Sequence, residues 1–210
     1  MIGVDRNGGL TRVVIDRPDK ANSLTRAMLE EIAGTAEAAA ADGTRVFVLT
    51  GRGKVFSAGA DLDEARAGLA TDPVWERLSA VIARLPCLTV AALNGTLAGG
   101  AFGMALACDL RLAVPGASFF YPVMKLGFLP QPSDPGRLAA LIGPARAKMI
   151  LMAGARIGAE EALAWGLVDR LVPAEGLAAA VDDLAAAALG ATSGHVAAIK
   201  ALVPAPPGAV

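Results

Sequence analysis

Two short runs of small residues, each placed just after an apolar segment, constrain this chain more than any other feature. The first is Val55-Phe56-Ser57-Ala58-Gly59-Ala60-Asp61-Leu62 and the second is Asn94-Gly95-Thr96-Leu97-Ala98-Gly99-Gly100-Ala101-Phe102-Gly103. Such residues let a ligand approach the main chain closely. Two turns of this kind can aim backbone N–H groups at one oxygen atom, and a convergent pair of donors on a carbonyl oxygen is an oxyanion hole. The second run leads into a helical segment, whose unpaired N–H groups and positive dipole end favour developing negative charge. Gly100 is the candidate donor there, and Ala60 the candidate from the first run.

The surrounding pattern alternates strand and helix. Leu10 to Asp16 is β-branched and closes at Arg17-Pro18, which predicts a strand. Leu24, Met28, Leu29 and Ile32 recur at helical spacing, predicting an amphipathic helix over Leu24 to Ala41. Arg45 to Thr50 and Leu88 to Leu93 are near-continuous apolar strands, the pattern of a parallel sheet covered on both faces. Asp109 to Ala113 is a further strand. Gly51-Arg52-Gly53-Lys54 reads as a turn. Helices are predicted at Ala65 to Ala70, at Val74 to Leu85 with Pro86 as its stop, and from Gly99-Gly100 through Ala107. The remainder reads as helical over Arg137 to Met152, Ala159 to Trp165 with Gly166 as C-terminal stop, Leu177 to Leu189, and His195 to Leu202. The Pro204-Ala205-Pro206-Pro207-Gly208 tail is expected to be mobile. This order argues for an α/β architecture with crossover connections. No linker divides the 210 residues, so residues 1–190 form the core and residues 191–210 a short helix and tail.

Several chemistries are disfavoured. Nineteen basic and 20 acidic side chains nearly cancel, which argues against duplex nucleic acid as a partner. Cys87, Cys108 and His195 are the whole Cys/His complement, and none lies in a metal-ligand spacing, so no metal site is expected. The same cysteine usage and the absence of a leader pattern after Met1 point to a reduced, cytoplasmic setting. The longest uncharged run, ending at Asp109, is glycine-broken and too short to span a bilayer. There is no G-x-G-x-x-G, and Gly51 to Lys54 lacks Walker A spacing. Ser57 lacks a G-x-S-x-G context, and His195 lies far along the chain on a predicted exposed helix face, so a serine triad is not supported.

Five ordered segments resemble the enoyl-CoA hydratase/isomerase (crotonase) superfamily. They are Arg17-Pro18-Asp19-Lys20-Ala21-Asn22-Ser23-Leu24, Phe56 to Leu62, Asn94-Gly95 with Ala98-Gly99-Gly100-Ala101, Cys108-Asp109-Leu110-Arg111, and Ala159 to Val168. The resemblance runs from about Met1 to Lys200. It implies a spiral of ββα units followed by C-terminal helices, assembled as homo-oligomeric trimers or hexamers. It also implies an acyl-CoA thioester as ligand, with coenzyme A entering as part of the substrate and no separate cofactor. By position the oxyanion donors are Ala60 and Gly100. Ala21 and Ser23 would contact the nucleotide and pantetheine, and Ser57, Ala58, Asp61 and Leu62 the adenine end; ordinary loop packing accounts for the same residues. Phe102, Phe119, Phe120, Val123 and Met124 would wall the acyl group, or serve as core.

The chain departs from the family where the acids should be. Hydratases of the superfamily activate water with two glutamates; the matching positions here are Gly103 and Val123. Some members place an acid or a tyrosine eight residues further on, where this chain has Gln131, which cannot ionise. Tyr121 and Asp134 lie nearby: Tyr121 reads as pocket wall, and Asp134 as a displaced base or as the cap of a helix beginning near Gly136. The chain also stops before the C-terminal helices that cover the acyl site in longer relatives, which leaves trimer formation and closure of the pocket open. Two classes remain. One is a lyase or isomerase of fatty acid metabolism with an atypical base. The other is a non-catalytic acyl-CoA binder or accessory subunit.

Overall fold

A computed structural model describes residues 1–203, and the proline-rich tail lies outside the described residues. The strands build two sheets. The first contains β1 (Ile2–Asn7), β2 (Leu10–Ile15), β3 (Val46–Gly51), β5 (Leu88–Leu93), β7 (Leu110–Ala113) and β10 (Arg170–Leu171), in the order β1-β2-β3-β5-β7-β10. The second contains β4 (Val55–Ser57), β6 (Thr96–Ala98), β8 (Ser118–Phe120) and β9 (Ile157–Gly158), in the order β4-β6-β8-β9. β1 and β2 form an antiparallel hairpin through Gly8-Gly9; β2, β3, β5, β7 and β10 are parallel. Consecutive pairs β3/β4, β5/β6 and β7/β8 each give one strand to each sheet before the chain turns into helix. That repeat is the spiral of ββα units the resemblance implied.

The helices are α1 (Arg26–Ala41), α2 (Leu62–Arg66), α3 (Val74–Ala83), α4 (Phe102–Leu106), α5 (Val123–Leu126), α6 (Asp134–Ile142), α7 (Pro144–Leu151), α8 (Ala159–Trp165), α9 (Leu177–Gly190) and α10 (Ser193–Leu202). Thr25 caps α1 by accepting a hydrogen bond from the Met28 N–H at 3.3 Å. Met28, Leu29, Ile32, Ala33, Ala36 and Ala39 then lie on one buried face, and its alanines allow close packing on α3. Phe47, Phe56, Phe102 and Phe119 are fully buried between the layers. Among the described residues no helix is long and apolar enough to cross a membrane.

The structure corrects two readings and shows two features that the sequence did not. The helix expected over Arg137 to Met152 is two helices, because Gly143-Pro144 breaks the chain and Pro144 opens α7. The helix expected at Ala65 to Ala70 begins earlier, at Leu62, because Asp61 accepts hydrogen bonds from the N–H groups of Asp63 and Glu64; it ends at Arg66 and a 3₁₀ turn follows at Leu69–Thr71. β1 and the whole second sheet carry no sequence signal of their own. β1 is largely exposed and polar, and the strands of the second sheet are two or three residues long. Finally, the Cys108 to Arg111 motif is structural. Arg111 is buried, and its side chain donates to the carbonyl oxygens of Cys108 at 2.6 Å and Leu167 at 3.0 Å, while the Asp109 carboxylate accepts from the Thr89 N–H and from Lys200. These bonds clamp the end of α4 and the approach to β10 onto the sheet.

Candidate active site

The first small-residue turn is held by a net of hydrogen bonds that uses almost every polar group in it. Asn22 is fully buried and left-handed; it accepts from the Arg17 N–H at 2.9 Å and donates to the carbonyls of Arg52 and Val55. The Ser57 hydroxyl donates to the Asn22 carbonyl at 2.8 Å and accepts from the Gly59 N–H at 3.2 Å. The Ala58 N–H donates to Ala21 O, and the Asp61 N–H to Leu24 O. The N–H groups of residues 58, 59 and 61 are therefore consumed, and that of Ala60, between them, has no acceptor among the described residues.

The second turn meets the first edge on. β6 ends at Ala98, a 3₁₀ turn covers Gly99–Ala101, and α4 continues from Phe102. Gly59 has φ +91°, and a Cβ there would stand 3.0 Å from Ala98 O and 3.4 Å from the Gly100 nitrogen. Glycine is required on both counts. The Gly100 N–H, in the first turn of this helical segment, also lacks an acceptor among the described residues. On its other side Gly100 packs against the Trp75 ring, whose Nε1–H donates to Leu69 O at 2.8 Å.

Ala60 and Gly100 line one cavity of about 140 Å³ with Ala58, Leu62, Ala65, Ala70, Trp75, Gly99, Tyr121, Val123 and Gln131 among its walls. Leu62, Leu126, Phe128 and Leu129 also line it while remaining largely exposed, with Leu129 87% accessible. An apolar rim of this kind marks an interaction surface. Among the described residues no lining side chain carries a carboxylate. His195 is exposed and lines a separate groove that shares no residue with this cavity, so it has no bearing on Ser57.

Several residues singled out in the sequence fall elsewhere. Phe102 and Phe119 are fully buried and belong to the core; Phe102 stacks on the Tyr121 ring at 5.4 Å between centroids, so it supports the wall from behind. Phe120 lies under the Arg156 guanidinium, and Met124 is 63% exposed outside the cavity. Ser57 sits behind the turn with both hydrogen-bonding roles taken. Asp61 caps α2 and pairs with Arg17 at 2.7 Å, which holds its carboxyl below the usual range; Arg17 also donates to the Ser23 hydroxyl. Ala21 is left-handed in the same net, with its carbonyl accepting from Ala58. Trp75 and the Leu126–Leu129 rim went unrecognised in the sequence, since a tryptophan at helical spacing reads as core.

Asp134 does not cap α6. Ser133 precedes the helix, and its N–H and hydroxyl are both taken by Glu76. Asp134 is instead fully buried: the Tyr121 hydroxyl donates to its Oδ2 at 2.9 Å, and its Oδ1 has no hydrogen-bond partner among the described residues. A Cβ built on Gly103 would stand 2.9 Å from that Oδ1. The carboxyl thus occupies space beside α4 that any side chain at position 103 would need. Burial pushes Asp134 up to about 7, against the opposing pull of the Tyr121 hydrogen bond and the Arg137 charge. Burial and the neighbouring Asp134 likewise push the Tyr121 phenol up. The Cys87 and Cys108 thiols, raised by burial to about 11 and about 12, are inert at neutral pH.

A raised carboxyl pKa has a definite sign in stability. The folded chain keeps the Asp134 proton that the unfolded chain has lost, so this contribution is fully present below about pH 4 and drains away up to about pH 7. At roughly 1.4 kcal/mol per pH unit the whole effect is about 4 kcal/mol. Asp134→Asn is therefore expected to gain stability relative to wild type as pH rises from 5 to 8, measured by urea unfolding at both pH values. An equal difference at the two pH values would show that Asp134 stays ionised in the fold.

Comparisons with known proteins show the family. Residues 5–206 match the family model for enoyl-CoA hydratase/isomerase. A probable enoyl-CoA hydratase, echA6, of Mycobacterium leprae is 35% identical over 90% of this chain and 79% of its own length. The carnitinyl-CoA dehydratase of Escherichia coli K12 is 39% identical over 80% of this chain and 66% of its own. Among solved structures, an enoyl-CoA hydratase from Bacillus anthracis superposes with a TM-score of 0.89 at 33% identity, covering 96% of this chain and 81% of that one.

Proposed function

The chain belongs to the enoyl-CoA hydratase/isomerase family, and from that premise we propose that it binds an acyl-CoA thioester with the carbonyl oxygen held between the Ala60 and Gly100 N–H groups. The observation that carries this reading is that these two donors lack protein acceptors and open onto the same cavity. A thioester oxygen supplies the missing acceptor. As a proton leaves the acyl chain the oxygen gains charge, and preorganised donors stabilise that enolate more than the bound ground state. The apolar walls from Trp75, Leu62 and Val123 suit an acyl chain; the cavity is small beside sites that enclose a whole cofactor, so the nucleotide lies outside it. Coenzyme A enters as part of the substrate and no further cofactor is invoked.

The chemistry is enolate formation and proton relocation rather than addition of water. Gly103 and Val123 supply no acid to activate water, and Gln131, which donates weakly to Ala70 O at 3.5 Å, orients without ionising. The absence of any carboxylate from the cavity wall also suits a second reading, a binder that polarises the thioester without turning it over.

Carbonyl polarisation is directly measurable. Hexanoyl-CoA labelled with carbon-13 at its carbonyl is expected to show a downfield carbonyl resonance on binding, with saturable displacement by unlabelled ligand. A bound resonance at the free position, or no binding, would overturn the oxyanion role of Ala60 and Gly100.

A further inference from the structure

Resting on the acyl-CoA reading, we propose that Tyr121 carries the proton to and from the acyl chain, and that Asp134, held behind it, takes up and returns the phenolic proton. Among the described residues Tyr121 is the only one lining the cavity with an ionisable hydroxyl, and that hydroxyl donates to a fully buried carboxyl whose other oxygen has no partner among them. A buried carboxyl oxygen without a partner is costly and calls for an explanation. Here it stands where the superfamily's missing acid on α4 would emerge, since Gly103 leaves the room it fills. The stacking of Phe102 on the phenol ring fixes the orientation of Tyr121.

The step balances without a co-reactant. With Asp134 ionised, a C–H bond at the α-carbon of a 3-enoyl thioester breaks and its proton goes to the Tyr121 oxygen, while the phenolic proton passes to Asp134 Oδ2. The C–H electron pair becomes the dienolate, whose oxygen rests on Ala60 and Gly100. Tyr121 then delivers a proton to the γ-carbon and recovers its own from Asp134. The net change is migration of the double bond into conjugation with the thioester, and neither water nor an oxidant is consumed.

The charges around the pair set its pH response. Glu76 on α3 raises the Asp134 pKa, Arg137 on α6 lowers it, and Arg84 acts on Arg137. The forward step needs ionised Asp134, so the rate should climb as pH rises through about 7 and then level off.

The test is deuterium exchange into the α-carbon of hexanoyl-CoA, followed by mass, together with conversion of 3-hexenoyl-CoA to 2-hexenoyl-CoA. The wild-type protein should do both. Tyr121→Phe, which keeps the ring stack, and Asp134→Asn should still bind and still shift the carbonyl resonance, yet lose at least ~100-fold in exchange. Asp134→Asn should also lose the inflection near neutral pH. Gly103→Ala, which keeps both side chains in the sequence but pushes the Asp134 carboxyl aside, should lose exchange as well; should Asp134→Asn fail to fold, Tyr121→Phe and Gly103→Ala decide the matter. Bound, polarised thioester with no exchange in wild type, or with unchanged exchange in Tyr121→Phe, overturns this assignment alone. A wild-type protein that neither binds hexanoyl-CoA nor shifts its carbonyl overturns the acyl-CoA reading, and this one with it.

Discussion

Hydration of crotonyl-CoA should run at least about 10⁴-fold below a family member that retains both glutamates, assayed side by side by loss of the enoyl absorbance. Each general acid or base typically supplies ~10²–10⁴-fold, and the two positions that the family resemblance sets against the glutamates hold Gly103 and Val123, neither of which can ionise. On the proposed reading the Ala60 and Gly100 N–H groups would polarise the thioester but could not deprotonate water. The deficit is also built into the packing. A glutamate at position 103 must begin with a Cβ 2.9 Å from Asp134 Oδ1, so Gly103→Glu should fail to restore hydration and should damage the Tyr121–Asp134 pair. Turnover within tenfold of the comparator would mean that another group activates water, and would retire the proton-relocation reading in favour of a hydratase.

The largest effect on stability should come from Gly95→Ala, well outside the cavity. Its new Cβ would stand 2.0 Å from Lys54 O, 2.6 Å from Lys54 C and 3.0 Å from the Val55 nitrogen, all backbone atoms that cannot swing aside. The neighbouring Asn94 fixes the same contact, accepting from the Gly51 N–H at 2.9 Å and donating to the carbonyls of Gly53 and Val55. Relief requires β4 to move away from β6, which carries the Ala58–Asp61 turn with it. A loss of at least about 4 kcal/mol is expected, a large share of what a domain this size possesses. Urea unfolding and soluble yield measure it. A cost under about 1 kcal/mol would show that the strand pair yields easily, and that the placement of Ala60 against Gly100 is softer than the hydrogen bonds imply.

Much of the fold was legible along the chain, and for identifiable reasons. β3 and β5 are runs of apolar residues long enough to show their period, and α1 advertises itself through Thr25 and the Met28, Leu29, Ile32, Ala36 stripe. The second sheet was not legible, because strands of two or three residues have no period to read. The split at Gly143-Pro144 was legible in principle and was overridden by the apolar pattern on both sides.

The candidate site divides in the same way. The two glycine-alanine turns and the missing glutamates are properties of residue type, visible without coordinates. That Ala60 is the one unpaired donor in its turn was not visible, since it depends on partners at Ala21, Leu24 and Ser57. Nor was the Tyr121–Asp134 contact legible: the sequence left Asp134 as a displaced base or a cap, and only the packing of α6 against α4 turns its carboxyl inward to Tyr121. Residue identity alone determined which main-chain atoms could be approached and which acids were absent, because sterics and titratability belong to single residues. Only the tertiary structure decided which donors stay free and which carboxyl is buried, because satisfaction and desolvation belong to neighbours that the chain brings together from afar.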